Sequence, residues 1–276
     1  MAKILVTGAT GFTGKALSRR LVEGGEQVVA FVRPASDIRE LEELGVECLR
    51  VDIKNAEDVM DHFAGVSKVF HIAAAYRAEY ADHDEFRLVN VEATRNLLEA
   101  AKRNAVRRFV HCSTVGVQGR IDHPPADEEY RFLPGDHYQQ SKLEGELLAR
   151  RYFSEGLPGV VVRPVGIYGP GDTRFLKLFK PISKGMFVMI GTGNTLYHLT
   201  YIADLVDGFL LCGEKDEALG EVGIAPPLYP RRVEFFYKDR AFSIEKAKRS
   251  LGYSPKVGLH EGLAATADWY KEKGMI

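Results

Sequence analysis

Cysteine is scarce in this chain: Cys48, Cys112 and Cys212 are the only three in 276 residues, and they lie far apart. An odd count at such separations excludes a disulfide framework and the paired spacings of a zinc site, so no metal is expected and the thiols are expected to be reduced and mostly buried. Long apolar runs are also missing; none approaches the roughly 18 residues that a membrane-spanning helix requires. Neither sign of charge prevails. Thirty-seven Lys and Arg against 38 Asp and Glu leave a net charge of −1, which argues against nucleic acid or an anionic membrane as partner. Short basic pairs such as Arg107-Arg108 and Arg150-Arg151 read as helix ends or solvated faces. There is no internal repeat and no low-complexity segment. The strand-like Lys3-Ile4-Leu5-Val6 follows Met1 so closely that no signal peptide, and a cytoplasmic location, are expected. The remaining composition, 45% hydrophobic and 27% charged, is that of a globular protein with one large domain, or a nucleotide-binding domain with a smaller attachment.

Short β-branched runs alternate with helix-period segments over the first 165 residues. The predicted strands are Ile4–Thr7, Gln27–Val32, Glu47–Val51, Lys68–Ile72, Arg108–His111 and Val160–Arg163, each an apolar run of the kind buried on both faces of a parallel sheet. The predicted helices between them are Thr13–Glu23, Asp37–Leu44, Ala56–Phe63, Asp84–Asn104 and Tyr138–Ser154. Right-handed crossovers leave a doubly wound parallel Rossmann sheet as the α/β fold, with the ligand at the carboxyl ends of the strands. The rhythm breaks at the turn-rich Gly166–Gly171. Helices follow near Phe175–Ser183, Ala203–Cys212, Ser243–Leu251 and Leu259–Glu272. The expected organisation is a Rossmann domain of residues 1–165 with 196–213, and a small, interleaved C-terminal substrate-binding lobe of residues 166–195 with 214–276.

Thr7-Gly8-Ala9-Thr10-Gly11-Phe12-Thr13-Gly14 follows the first strand and opens the first helix. Gly8 permits the tight turn, Gly11 lets the backbone approach a pyrophosphate, and Gly14 lets helix and strand pack closely. The helix N-terminus adds unsatisfied N–H donors and a positive dipole end. Gly8, Thr10, Gly11, Phe12, Thr13 and Gly14 are therefore the candidates to hold a dinucleotide. After the second strand comes Val32-Arg33-Pro34-Ala35-Ser36, without an acid before Asp37. An acid there binds the ribose 2′-OH of NAD, whereas an arginine accommodates a 2′-phosphate, so Arg33 favours NADP over NAD; its plainer reading is a surface residue after a strand.

Tyr138 and Lys142 stand four apart at the start of a helix and share a face. A tyrosine with a reference pKa of about 10 is a poor base near neutrality, and a neighbouring ammonium lowers that pKa. Tyr138 is then able to exchange a proton with a substrate hydroxyl or carbonyl while hydride moves to or from a nicotinamide, and Lys142 also binds the cofactor ribose. By itself the pair is equally an exposed i,i+4 contact; the glycine loop upstream makes the catalytic reading the better one.

The chain resembles the extended short-chain dehydrogenase/reductase family, which includes nucleotide-sugar epimerases, dehydratases, dihydroflavonol-type reductases and 3β-hydroxysteroid-type dehydrogenases. The resemblance covers nearly the whole chain and is carried by Thr7–Gly14, Val51-Asp52-Ile53, His71-Ile72-Ala73-Ala74, Asn90-Val91-Glu92-Ala93-Thr94, Cys112-Ser113-Thr114, Tyr138–Lys142 and Arg163-Pro164. It implies that Asp52 and Ile53 flank the adenine, and that Ala73 and Ala74 line the cofactor near its ribose. Thr114 would hydrogen-bond the reacting oxygen, with Ser113 as the fallback, and Pro164-Val165 would touch the nicotinamide amide. Asn90 would orient the active-site helix or a water, against the reading of a polar residue satisfied within its helix. His71 and Cys112 are taken as packing residues. A homodimer through the fourth and fifth long helices is a further implication.

Departures from the family patterns narrow the activity. Where the resembling 4,6-dehydratases have Asp-Glu after the catalytic Thr, this chain has Val115-Gly116, so the groups that eliminate water are missing. Where UDP-sugar epimerases have an arginine for the diphosphate, it has Tyr197-His198-Leu199-Thr200-Tyr201-Ile202. The resembling relatives also carry a longer insertion near residues 222–228, so either the lobe of this chain is shortened there or a segment is absent from the sequence. The leading expectation is an NAD(P)-dependent oxidoreductase acting on a secondary alcohol or ketone of a small molecule. The alternatives are an NAD-dependent sugar epimerase working by transient oxidation, and a non-catalytic dinucleotide sensor.

Overall fold

A computed structural model describes residues 2–76, 83–188, 196–225 and 240–276. The first part of the chain alternates strand and helix: β1 (Lys3–Thr7), α1 (Phe12–Glu23), β2 (Gln27–Val32), α2 (Arg39–Glu43), β3 (Glu47–Arg50), α3 (Ala56–Asp61), β4 (Val66–His71), α4 (His83–Arg87), α5 (Ala93–Arg103), β5 (Arg108–Cys112), α6 (His137–Ser154) and β6 (Gly159–Pro164). Then follow β7 (Gly166–Tyr168), α7 (Leu176–Ser183), β8 (Leu199–Tyr201), α8 (Ile202–Glu214), β9 (Val222–Ala225), α9 (Glu245–Leu251) and α10 (Leu259–Glu272). The main sheet is parallel, in the order β3-β2-β1-β4-β5-β6-β9. Its order reverses between β1 and β4, which opens a crevice at the carboxyl ends of those strands.

Alternation along β1 shows why the apolar runs need cover on both faces. Ile4 and Val6 pack with Leu17 and Leu21 of α1 and with Leu205 and Phe209 of α8. Leu5 faces the opposite layer, with Val59 of α3, Leu97 and Leu98 of α5, and Ala149 and Phe153 of α6. Each fully buried side chain of this size contributes about 1.5–3 kcal/mol. Asn55 caps α3 by accepting from the amides of Glu57 and Asp58, and Asp136 caps α6 by accepting from Gln139 N at 2.6 Å.

Three features depart from the sequence expectation. The main sheet has a seventh strand, β9, too short and glycine-interrupted to stand out by periodicity. The helix expected over Asp84–Asn104 contains a π-turn at Leu88–Glu92 between α4 and α5. The helix expected over Asp37–Leu44 is only α2, because Asp37 instead accepts from the backbone and guanidinium of Arg39. Beyond β6, β7 and β8 form a separate parallel pair. α10 reaches β7 because Gly262 has no side chain: a Cβ there would lie 2.2 Å from Tyr168 Oη. The shortened stretch expected near 222–228 lies outside the described residues from 226 onward.

Candidate active site

The glycine loop is built by close approach. Gly8 has φ +74°, and a Cβ on it would stand 2.7 Å from Ala73 N. This brings the turn after β1 against the chain leaving β4, so Gly8 and Ala73 meet. At Gly14 a Cβ would be 2.2 Å from Gly8 O, which keeps α1 seated on the turn. Gly11 is the N-cap of α1 and offers no side-chain cap, and no acid occupies the first turn. The first amides of α1 are therefore left for an external anion.

Beneath the loop runs a chain of buried side chains. Thr7 Oγ1 lies 2.8 Å from His71 Nδ1, and His71 Nε2 lies 2.9 Å from Thr94 Oγ1. Thr94 donates to Asn90 O at 2.9 Å. Since Thr94 spends its proton there, His71 Nε2 must be the donor to Thr94 and Nδ1 the acceptor from Thr7, a neutral tautomer. Burial drives the His71 pKa down to about 3, with the nearby Lys142 charge adding to the effect.

Asn90, inside the π-turn, is buried and clamps the next loop. Its Oδ1 accepts from Ala75 N at 2.9 Å, and its Nδ2 donates to Ala75 O at 3.0 Å and to Ser141 Oγ at 2.9 Å. Ser141 donates in turn to Tyr138 O. Helix α6 sits tightly here because a Cβ on Gly145 would be 2.2 Å from Asn90 O. The π-turn thus joins the loop after β4 to the first turn of α6, which carries Tyr138 and Lys142.

Lys142 is 2% exposed and donates from Nζ to Cys112 O at 2.6 Å. Burial lowers its pKa below the ordinary lysine value, opposed by Cys112 and Glu146. Tyr138 is half-buried, and its ring lies 6.3 Å from that of Phe86. Thr114, also half-buried, starts the 3₁₀ turn Val115–Gln118 by accepting from Gly116 N at 3.1 Å. Its neighbour Ser113 is buried and donates to Glu146 Oε2 at 2.6 Å. Glu146 also holds Arg163 at 2.6 Å, with both side chains fully buried, and the Arg163 guanidinium lies over the ring of Phe132. Neither partner of this pair has a role assigned from the sequence alone; the signal for Glu146 is its position one turn beyond Lys142 on the same helical face. Pro164 ends β6, and Val165 packs with Val115 and Phe242.

Arg33 is exposed just beyond β2, while Arg50 NH1 donates to Arg33 O at 3.3 Å and also to Pro34 O. The acids of this loop are engaged: Asp37 with Arg39, and Glu40 with Lys15 at 2.7 Å. Asp52 Oδ1 accepts from Lys54 N, and Ile53 O accepts from Asn96 Nδ2. The carboxyl ends of the parallel strands therefore gather the loops carrying Gly8–Gly14, Arg33, Asp52, Ala73, Ser113-Thr114 and Pro164 along one edge of the sheet.

The profile of the NAD dependent epimerase/dehydratase family matches residues 4–224. The chain belongs to this family. It is 37% identical over 173 residues to sterol demethylase protein B of Methylococcus capsulatus, covering 62% of this chain and 53% of that protein. It is 29% identical to a 3-beta-hydroxysteroid dehydrogenase of Mycolicibacterium neoaurum, covering 99% of this chain and 92% of that one. Among solved structures it is similar to the UDP-glucuronic acid 4-epimerase of Bacillus cereus in complex with NAD, with TM-score 0.82, 28% identity, and 98% and 99% of the two chains covered. The protein is thus an extended short-chain dehydrogenase/reductase-type enzyme, an NAD-binding oxidoreductase.

The chain's residues fit that cofactor. The start of α1 has no side-chain cap and leaves its first amides to an anion, and the turn in front of it is so tight that a Cβ at Gly8 or Gly14 would collide with the backbone. Among the described residues no helix is long and apolar enough to cross a membrane.

Proposed function

We propose that this enzyme interconverts a secondary alcohol and a ketone on a predominantly apolar, sterol-like substrate, with Tyr138 as the general acid/base, Thr114 as hydrogen-bond donor to the reacting oxygen, and Lys142 as the charge that tunes Tyr138. The observation that carries this is the placement of Lys142. A desolvated ammonium, tied to Cys112 O one helical turn from Tyr138, favours the phenolate strongly because little water screens it. The lowered pKa of Lys142 reflects that same burial. Bound NAD(P) supplies the nicotinamide that accepts or gives the hydride. The protein's part is to hold the phenol proton of Tyr138, to fix α6 through Asn90, and to bind the dinucleotide on Gly8–Gly14, with Asp52, Ile53, Ala73, Ala74, Pro164 and Val165 along its length.

The apolar substrate class is supported by the names of the sterol and hydroxysteroid relatives and by the lack of an arginine at Tyr197–Ile202. The match to the hydroxysteroid dehydrogenase extends over 339 positions, more than the 276 residues of this chain, which supports a shortened substrate lobe. Arg33 and the engaged state of Asp37 and Glu40 support NADP as the preferred form. The exposed Leu88 and Leu147 on the π-turn and α6 support a homodimer through these helices, and we take the enzyme to be cytoplasmic. The similarity to the 4-epimerase keeps transient oxidation of a sugar as the second reading.

The test is a panel of cyclic and long-chain ketones against UDP-sugars, with NADPH and NADH, on wild type and Tyr138→Phe. Turnover of the ketones that falls about 10²–10⁴-fold in Tyr138→Phe, with cofactor binding retained, supports the proposal. Conversion of UDP-sugars alone, or equal loss of turnover and cofactor binding, overturns it. In the same assay Arg33→Ala is expected to weaken NADPH about tenfold or more while leaving NADH nearly unchanged; an unaltered ratio removes Arg33 from the cofactor site.

A further inference from the structure

The turn between β7 and α7 does not stand apart from the nucleotide loop; it rests on it. Gly171, with φ +98°, lies so near Phe12 that a Cβ there would touch the ring at 3.4 Å. Three residues on, the guanidinium carbon of Arg174 is 5.5 Å from the centre of the same ring. Phe12 is the first residue of α1, so this cation is stacked on the side chain that opens the helix whose first amides are unsatisfied.

Arg174 is held there firmly. Its Nε donates to Asp172 Oδ1 at 2.7 Å, and its NH2 donates to Ile167 O at 2.7 Å. Asp172 is 2% exposed. It is fixed by its own amide donating to Gly169 O at 3.1 Å, by Arg174 N donating to its Oδ1 at 3.0 Å, and by Tyr270 Oη donating to its backbone oxygen at 2.6 Å. Asp172 and Tyr270 therefore orient the guanidinium and do not consume it. Its NH1 has no hydrogen bond among the described residues. A planar guanidinium fixed on one edge and open on the other is arranged to take an oxyanion. The other cation in the first turns of α1, Lys15, is drawn to Glu40 instead.

We infer that Arg174 is a cofactor-binding residue that contacts the dinucleotide's pyrophosphate from the C-terminal lobe, across the ring of Phe12, and so ties that lobe to the nucleotide loop when cofactor binds. The inference rests on the dinucleotide occupying the glycine loop, and its test separates the two. Binding of NADH and of ADP-ribose (which keeps the pyrophosphate and lacks the nicotinamide) is measured by calorimetry on the full chain. The variants are Arg174→Met, which keeps the stem over Phe12 and loses the charge, and Arg174→Lys, which keeps a charge.

Arg174→Met is expected to weaken both ligands about 10–100-fold, the effect of one charge-assisted hydrogen bond. It is also expected to flatten the dependence of Kd on ionic strength, with Arg174→Lys falling between it and wild type. Wild-type affinity and an unchanged salt dependence in Arg174→Met would overturn the inference. So would equal weakening in the Met and Lys variants with the salt dependence intact, because that is the mark of a purely structural arginine. A wild type that binds neither ligand, and NADPH no better, would instead refute occupation of the glycine loop.

Discussion

His111 sits on β5 opposite His71 of β4, ring centres 5.4 Å apart, fully buried, with neither ring nitrogen hydrogen-bonded among the described residues. Burial lowers its pKa well below 6.5, and the Lys142 charge pushes the same way. The folded pKa is depressed, so below about 6.5 the unfolded chain takes up a proton that the folded chain refuses. The stabilising effect is complete above that pH and is lost as pH falls. Replacing His111 by Phe is expected to leave stability at pH 7.5 within about 1 kcal/mol of wild type, because no hydrogen bond is removed. The loss of stability between pH 6 and 4 should become shallower by about 1.4 kcal/mol per pH unit, one proton's worth. Urea titrations at a series of pH values measure both; an unchanged slope would mean that His111 is charged or hydrated in the fold. At this scale sequence reading was uneven. Gly8 and Gly14 as the glycines of a tight strand–helix turn, and Tyr138 and Lys142 as residues of one helical face, were legible because backbone sterics and helical spacing dictate those placements. The hydroxyl of Ser113 was not, since nothing local to Cys112-Ser113-Thr114 reveals that Glu146, 33 positions on, accepts from it.

Helix α6 is the element on which the site depends. It carries the half-buried Tyr138 and the buried Lys142 near its start and Glu146 in its middle, where Glu146 meets Arg163 of β6 and Ser113 beyond β5. The pair joins helix to sheet with both charges out of water, so removing one partner strands the other. Glu146→Leu is expected to destabilise the protein by about 3–5 kcal/mol, and the double variant Glu146→Leu with Arg163→Met to recover much of that. Chemical denaturation of these two variants and of Arg163→Met alone checks this; additive losses would show that the two side chains act independently. The π-turn at Leu88–Glu92 is a second element-scale device. It sets Asn90 between Ala75 and Ser141, and it was invisible beforehand because a π-turn keeps the helical stripe of apolar residues almost intact.

For the molecule as a whole, the buried β-branched runs at Ile4–Thr7, Gln27–Val32, Lys68–Ile72 and Val160–Arg163 already required a parallel sheet covered on both faces, with a ligand at its carboxyl edge. That much is a consequence of hydrophobic periodicity, chain handedness and the glycine spacing, all of which act over short stretches of chain. The seventh strand was decided only by tertiary structure: Val222–Ala225 has little strand signal of its own and is fixed by pairing with Val161–Pro164. The same holds for the contact of Gly171 and Arg174 with Phe12, for the clamp of Asn90, and for the neutral tautomer of His71. Each arises from groups far apart in the chain, whose meeting depends on register and crossing geometry. The sequence by itself determined the layers and the carboxyl edge, because local sterics and burial decide them; the three-dimensional packing decided which distant partners hold Tyr138 and Lys142 in place, because buried polar groups must be satisfied wherever the fold brings them.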